Sequence, residues 1–142
     1  MTQLGTAEIE KIIPHRYPML LIDKVLDLTP GLSAKAIHSV SNNETFVKAS
    51  STTNPFFPSP LIIEAMAQTG AVALLSMEDF KGKTAYFGGI QKANFFGQAR
   101  PGDQLILTTE LTKIKRNIGL GKGIAKIGNQ KIAEAELTFM IG

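Results

Sequence analysis

The chain has 142 residues, 44% hydrophobic and 19% charged, which bounds it to one soluble globular domain with one core. Its net charge of +3 (15 Lys and Arg against 12 Asp and Glu) is scattered, neither gathered into a run nor interleaved with aromatics, so no nucleic-acid partner is indicated. There is no cysteine, and two histidines, His15 and His38, are too few for a histidine-rich site, so neither a metal nor another cofactor is expected.

In chain order, Thr6 to Ile13 reads as a short helix capped by Thr6 and ended by Pro14. His15-Arg16-Tyr17-Pro18 is a turn, and Met19 to Leu28 reads as a strand bending at Asp23-Lys24. The apolar run Met19–Ile22 is too short for a signal-peptide core, and a cytoplasmic location is the expectation. Thr29-Pro30-Gly31 turns the chain into a strand over Ser33 to Ser41, with His38 read as a surface or core residue of it. Asn42 to Pro58, rich in Ser, Thr, Asn and Pro, is expected to be irregular.

Pro58 to Ser76 reads as a long helix that is apolar on every side, the pattern of a segment buried all round. Ser59 is expected to cap it, with Pro60 at the first helical position, and its end is placed near Glu78-Asp79. Glu64 and Gln68 interrupt the apolar surface on one face. With Thr69 and Gly70 they would be costly in lipid, so no membrane span is expected.

After Lys81-Gly82-Lys83 the chain reads as strands: Thr84–Ala93, Gln104–Lys115, Ile118–Ile127 and Lys131–Ile141, with Gly128-Asn129 as a hairpin turn. The glycines at 119, 121 and 123 look like a phosphate loop only superficially; strand glycines crossing close to the helix are the expectation. One buried helix with five or six mostly antiparallel strands predicts an α+β hot-dog fold, a single domain over residues 1–142. The helix would be only partly covered and the sheet would expose an edge, which predicts a dimer.

Several motifs carry a resemblance: I-E-K-I-I-P-H-R-Y-P-M-L-L-I-D-K-V (Ile9–Val25), L-I-I-E-A-M-A-Q-T-G (Leu61–Gly70), Y-F-G-G-I-Q-K-A (Tyr86–Ala93), P-G-D-Q-L (Pro101–Leu105) and A-E-A-E-L-T-F (Ala133–Phe139). In this order they resemble the FabZ-type 3-hydroxyacyl-acyl-carrier-protein dehydratases. The resemblance implies a hot-dog homodimer or trimer of dimers acting on acyl thioesters of acyl carrier protein. It implies dehydration to the trans-2-enoyl thioester in fatty-acid elongation, by a histidine and a glutamate from opposite subunits. It makes Glu64 the catalytic acid, a role that suits a carboxyl group in an apolar helix. Phe57, Ser59, Pro60 and Gln68 become substrate-binding positions, and Arg16, Lys92 and Arg100 the charges that meet the carrier protein. His15, which the family keeps beside its catalytic histidine, is read as structural.

Three departures qualify this. Where the family reads N-E-x-F-F-x-G-H-F-P-G, this chain has Asn43-Glu44 and then Ser50 at the position of the histidine; serine without a base cannot accept a proton. Pro60 lacks an N–H that would polarise the thioester carbonyl, and Asn94, Phe95 and Phe96 stand where several arginines are usual. The favoured expectation is a chain that cannot dehydrate alone: a non-catalytic paralogue, or one half of a heterodimer with a histidine-bearing dehydratase, in fatty-acid or polyketide processing. The alternatives are an active dehydratase in which Glu64 works with an altered base, and an acyl-binding or thioesterase-like hot dog relying on Glu64.

Overall fold

A computed structural model describes residues 2–142. A six-stranded sheet runs in the order β1 (Lys24–Thr29), β2 (Ser33–Ser39), β4 (Gln104–Lys115), β5 (Ile118–Ile127), β6 (Gln130–Ile141) and β3 (Ala85–Phe95). Every neighbouring pair is antiparallel. The sheet curls round one helix, α3 (Ser59–Leu75), which packs against each strand; this is the hot-dog fold. Two short helices, α1 (Thr6–Glu10) and α2 (Thr45–Ser50), precede α3.

The buried residues of α3 run almost without a break from Ile62 to Leu75, which is why its apolar residues do not form a stripe. Its entry differs from expectation. Pro58 is the capping residue, no side chain caps, and Ser59 is already helical, so Pro60 falls one place further in. The helix also stops earlier, at Leu75, where the Ser76 hydroxyl donates back to the Val72 carbonyl at 2.6 Å. Among the described residues, no helix is long and apolar enough to cross a membrane.

Strand and helix approach closely enough to require glycine. A Cβ on Gly123 of β5 would stand 2.8 Å from Met66 Sδ, and one on Gly70 of α3 would stand 2.7 Å from the Phe139 ring. Gly119 of the same strand faces Leu74 of α3 as expected, whereas a Cβ on Gly121 would meet Glu110, Thr109 and Phe139 of the neighbouring strands instead of the helix.

Three segments depart from the sequence reading. The first helix is capped by Gly5 without a side-chain bond, has Thr6 already inside it, and ends at Glu10. Met19 to Asp23 is not a strand: β1 begins at Lys24. The Leu21 N–H donates to Gln68 Oε1 at 2.9 Å, and the Leu21 carbonyl lies 2.6 Å from His38 Nδ1. Side chains thus satisfy the groups that a neighbouring strand would have paired. The stretch read as irregular contains α2, which begins after Glu44.

β3 ends the sheet, paired with β6 on one side only. Tyr86, Ile90 and Phe95 on it are 60%, 50% and 44% exposed. An unpaired strand edge carrying large apolar side chains is a surface suited to another strand.

Candidate active site

Glu64 lies near the N-terminal end of α3 with its side chain 25% exposed. With His15, Gln68, Phe87 and Phe139 it lines a cavity of about 30 Å³. That is room for one water, not for an acyl chain.

Gln68, one turn on, is fully bonded within the chain. Its Oε1 accepts the Leu21 N–H, while its Nε2 donates to the Met19 carbonyl at 2.7 Å and to Glu64 Oε2 at 3.0 Å. The Leu21 N–H can only donate, so the oxygen must face it and the amide group must face Glu64. The segment after the H-R-Y-P turn is therefore what orients Gln68, and Gln68 in turn holds the carboxyl.

His15 comes to the same carboxyl. Its Nε2 is 3.5 Å from Glu64 Oε2, and its Nδ1 is buried with no partner among the described residues. Arg16 fixes the backbone beside it, donating to the carbonyls of Glu10, Ile13 and His15 at 2.8, 3.0 and 2.8 Å. The sequence reading set His15 aside as structural. Nothing in its spacing could have placed it here, because the contact joins a turn to a helix across 49 positions.

Ser50 ends α2, and both functions of its hydroxyl are in use. It donates to the Val47 carbonyl at 2.7 Å and accepts the Phe56 N–H at 2.9 Å. It does not line the Glu64 cavity. The loop that follows is tied as well: Ser51 Oγ accepts the Asn54 N–H at 3.1 Å, and Arg100 donates to the carbonyls of Asn54 and Pro55 at 3.0 and 3.2 Å.

Phe57 is a core residue, 1% exposed, bridged to Ala99 and packed on the His38 ring at a centroid distance of 4.5 Å. His38 is itself buried, with Glu44 Oε1 2.8 Å from Nε2 but without the alignment of a hydrogen bond. At the start of α3, Pro60 has no N–H and the Leu61 N–H donates to the Pro58 carbonyl at 3.0 Å. Among the described residues, this leaves the Ser59 N–H as the free donor of these three positions. Of the residues read as carrier-docking, Arg16 donates to backbone carbonyls, and Arg100 donates to backbone carbonyls and to Gln98 Oε1 at 2.8 Å. Lys92 lies on β3 opposite Glu136. No cluster of three or more metal-ligating side chains occurs among the described residues.

A FabA-like domain matches residues 13–136. The 3-hydroxyacyl-[acyl-carrier-protein] dehydratase FabZ of Ligilactobacillus salivarius is 58% identical over 139 residues, covering 98% of this chain and 99% of that protein. FabZ of Enterococcus faecalis is 54% identical over 140 residues, with 99% of each chain covered. Among solved structures, the dehydratase heterocomplex ApeI:P from Xenorhabdus doucetiae superposes with a TM-score of 0.76 at 16% identity, over 94% of this chain and 90% of that one. A conserved protein from Pseudomonas aeruginosa gives 0.72 at 15% identity, over 94% and 98%. These two likenesses are of fold. Identity above half along nearly the whole length is of another kind, and by it the chain belongs to the FabZ family of 3-hydroxyacyl-[acyl-carrier-protein] dehydratases.

Proposed function

We propose that this chain is a subunit of a 3-hydroxyacyl-acyl-carrier-protein dehydratase of fatty-acid synthesis, supplying Glu64 while a histidine-bearing partner supplies the base. The contrast between Glu64 and Ser50 carries the reading. Glu64 is presented at the wall of a cavity by Gln68, with Oε1 free of partners among the described residues. Ser50 has its hydroxyl committed to two backbone groups and no imidazole beside it to take its proton. Elimination needs a group that removes the proton from C2 and one that delivers a proton to the leaving hydroxyl. This chain offers the second.

The exposed side chains of β3 support association with a partner strand. Docking of the acidic carrier would rest on Lys92 and on Arg16 and Arg100, whose charge persists although their donors are engaged.

The test is complementation. A histidine-bearing FabZ dehydratase is first stripped of its own catalytic carboxyl, then mixed with this chain and given a 3-hydroxyacyl thioester on carrier protein. Enoyl-thioester formation that vanishes with Glu64→Gln is the expected result. Turnover by this chain alone would remove the need for a partner. Thioester hydrolysis without enoyl product would make it a thioesterase instead.

A further inference from the structure

Glu64 has one hydrogen-bond donor, the Gln68 amide, and one ion-pair neighbour, His15, and both face the same oxygen. The Gln68 amide stands 3.0 Å from Oε2 and His15 Nε2 stands 3.5 Å from it, while Oε1 has no partner among the described residues. The orientation of Gln68 is settled by Leu21, so its contact with Oε2 is a donation.

The tautomer of His15 follows from its surroundings. Nδ1 is buried without a partner among the described residues in either tautomer, so Nε2 decides. A proton on Nδ1 alone would turn the Nε2 lone pair toward a carboxylate oxygen, whereas a proton on Nε2 turns an N–H toward it. Arg16 holds the backbone of residue 15 through three carbonyls, so the ring is presented from a fixed base. The titratable and charged neighbours of this group are Glu64 on α3 and Arg16 in the turn, the latter also 3.8 Å from Glu10 of α1.

We propose that His15 is the positioning residue of Glu64: donating from Nε2 beside the Gln68 amide, it makes Oε2 the acceptor of the carboxyl and Oε1 the oxygen that carries the proton. This rests on the reading of Glu64 as the proton-delivering group. With the Gln68 amide bonded to Oε2 and the His15 N–H turned toward it, the acid proton sits on Oε1, which has no partner among the described residues. In the reaction, the Oε1 proton passes to the C3 hydroxyl, and the C3–O bond breaks with its electron pair to release water. The C2–H pair becomes the C2=C3 double bond, and the C2 proton goes to the partner's imidazole. His15 touches no substrate atom; it acts by holding the carboxyl in one orientation.

Two readouts test this. In the complementing mixture, His15→Ala should lower kcat about 10–100-fold with KM within about twofold, the signature of a misaligned proton donor. His15→Gln, which keeps a donor, should recover part of the loss. Unchanged kcat in His15→Ala, or a change confined to KM, overturns the proposal. Should His15→Ala fail to fold, His15→Gln and His15→Leu give the same comparison of donor against none. The second readout needs no activity. In the isolated chain at pH 8, nitrogen NMR of labelled histidine should show His15 protonated on Nε2 and bare on Nδ1. The opposite tautomer overturns the proposal even where turnover is absent. A mixture that never turns over with native His15 defeats the reading of Glu64 instead, leaving the tautomer to decide the role of His15.

Discussion

The hydroxyl of Ser50 accepts the Phe56 N–H at 2.9 Å and so closes the loop between α2 and the approach to α3. The residue read from the sequence as standing at the family's histidine position is a tie between two stretches of backbone. Ser50→Ala should destabilise the fold by about 1–2 kcal/mol, because a half-buried N–H loses its partner. At about 3 °C per kcal/mol for a domain of this size, a thermal melt would resolve the change.

Replacing the same residue by histidine probes the site more directly. Ser50→His alone should restore little dehydration, since the start of α3 still lacks the N–H at Pro60 and that of Leu61 is engaged. Adding Pro60→Val should raise turnover further. Equal rates for the single and double variants would remove Pro60 from the account.

Gln68→Leu should lower stability by about 1–3 kcal/mol through the buried Leu21 N–H alone. It should also remove most of the activity that depends on Glu64. Urea denaturation should show a lower midpoint with an unchanged slope. An unchanged midpoint would mean that the Leu21 N–H finds another acceptor.

Gly70→Ala sets two effects against each other. Alanine favours a helix interior over glycine by about 1 kcal/mol. Its Cβ, however, would meet the Phe139 ring at 2.7 Å and Thr109 Cγ2 at 2.9 Å, and overpacking of a core costs about 1–3 kcal/mol. Neither neighbour can withdraw freely, because Phe139 is core and the Thr109 hydroxyl is bonded to the Met66 carbonyl. A net loss of stability is expected; a gain would show that the sheet yields.

Glu134 offers a pH-dependent check. Its carboxyl is held below the usual carboxylate range, first by the hydrogen bond from Lys131 and then by that from Asn94. A depressed carboxylate stabilises the fold above its unfolded value and loses that contribution as pH falls through the folded one. Lys131→Ala should raise the pH at which Glu134 takes up its proton, read by carboxyl NMR, with little change in stability because the pair is near solvent.

The long helix and the glycine crossing were legible because both are local statements of burial. An uninterrupted apolar run has no solvent face, and alternating glycines mark a strand that something approaches. The helix α2 was not legible: Thr45 to Ser50 is too short for a period and lies in a stretch rich in turn formers. The segment Met19 to Asp23 was misread as strand because its apolar residues were counted, while the partners of its backbone groups, Gln68 and His38, could not be seen.

What the sequence determined by itself was the architecture: a buried helix carrying Glu64 and Gln68, and strands enough to wrap it. These follow from which side chains can leave water. The tertiary structure alone decided who meets Glu64. Hydrogen bonds are specified by positions in space, over a few ångströms, and His15 reaches that carboxyl only because Arg16 pins its turn and residues 19–21 fold back onto α3.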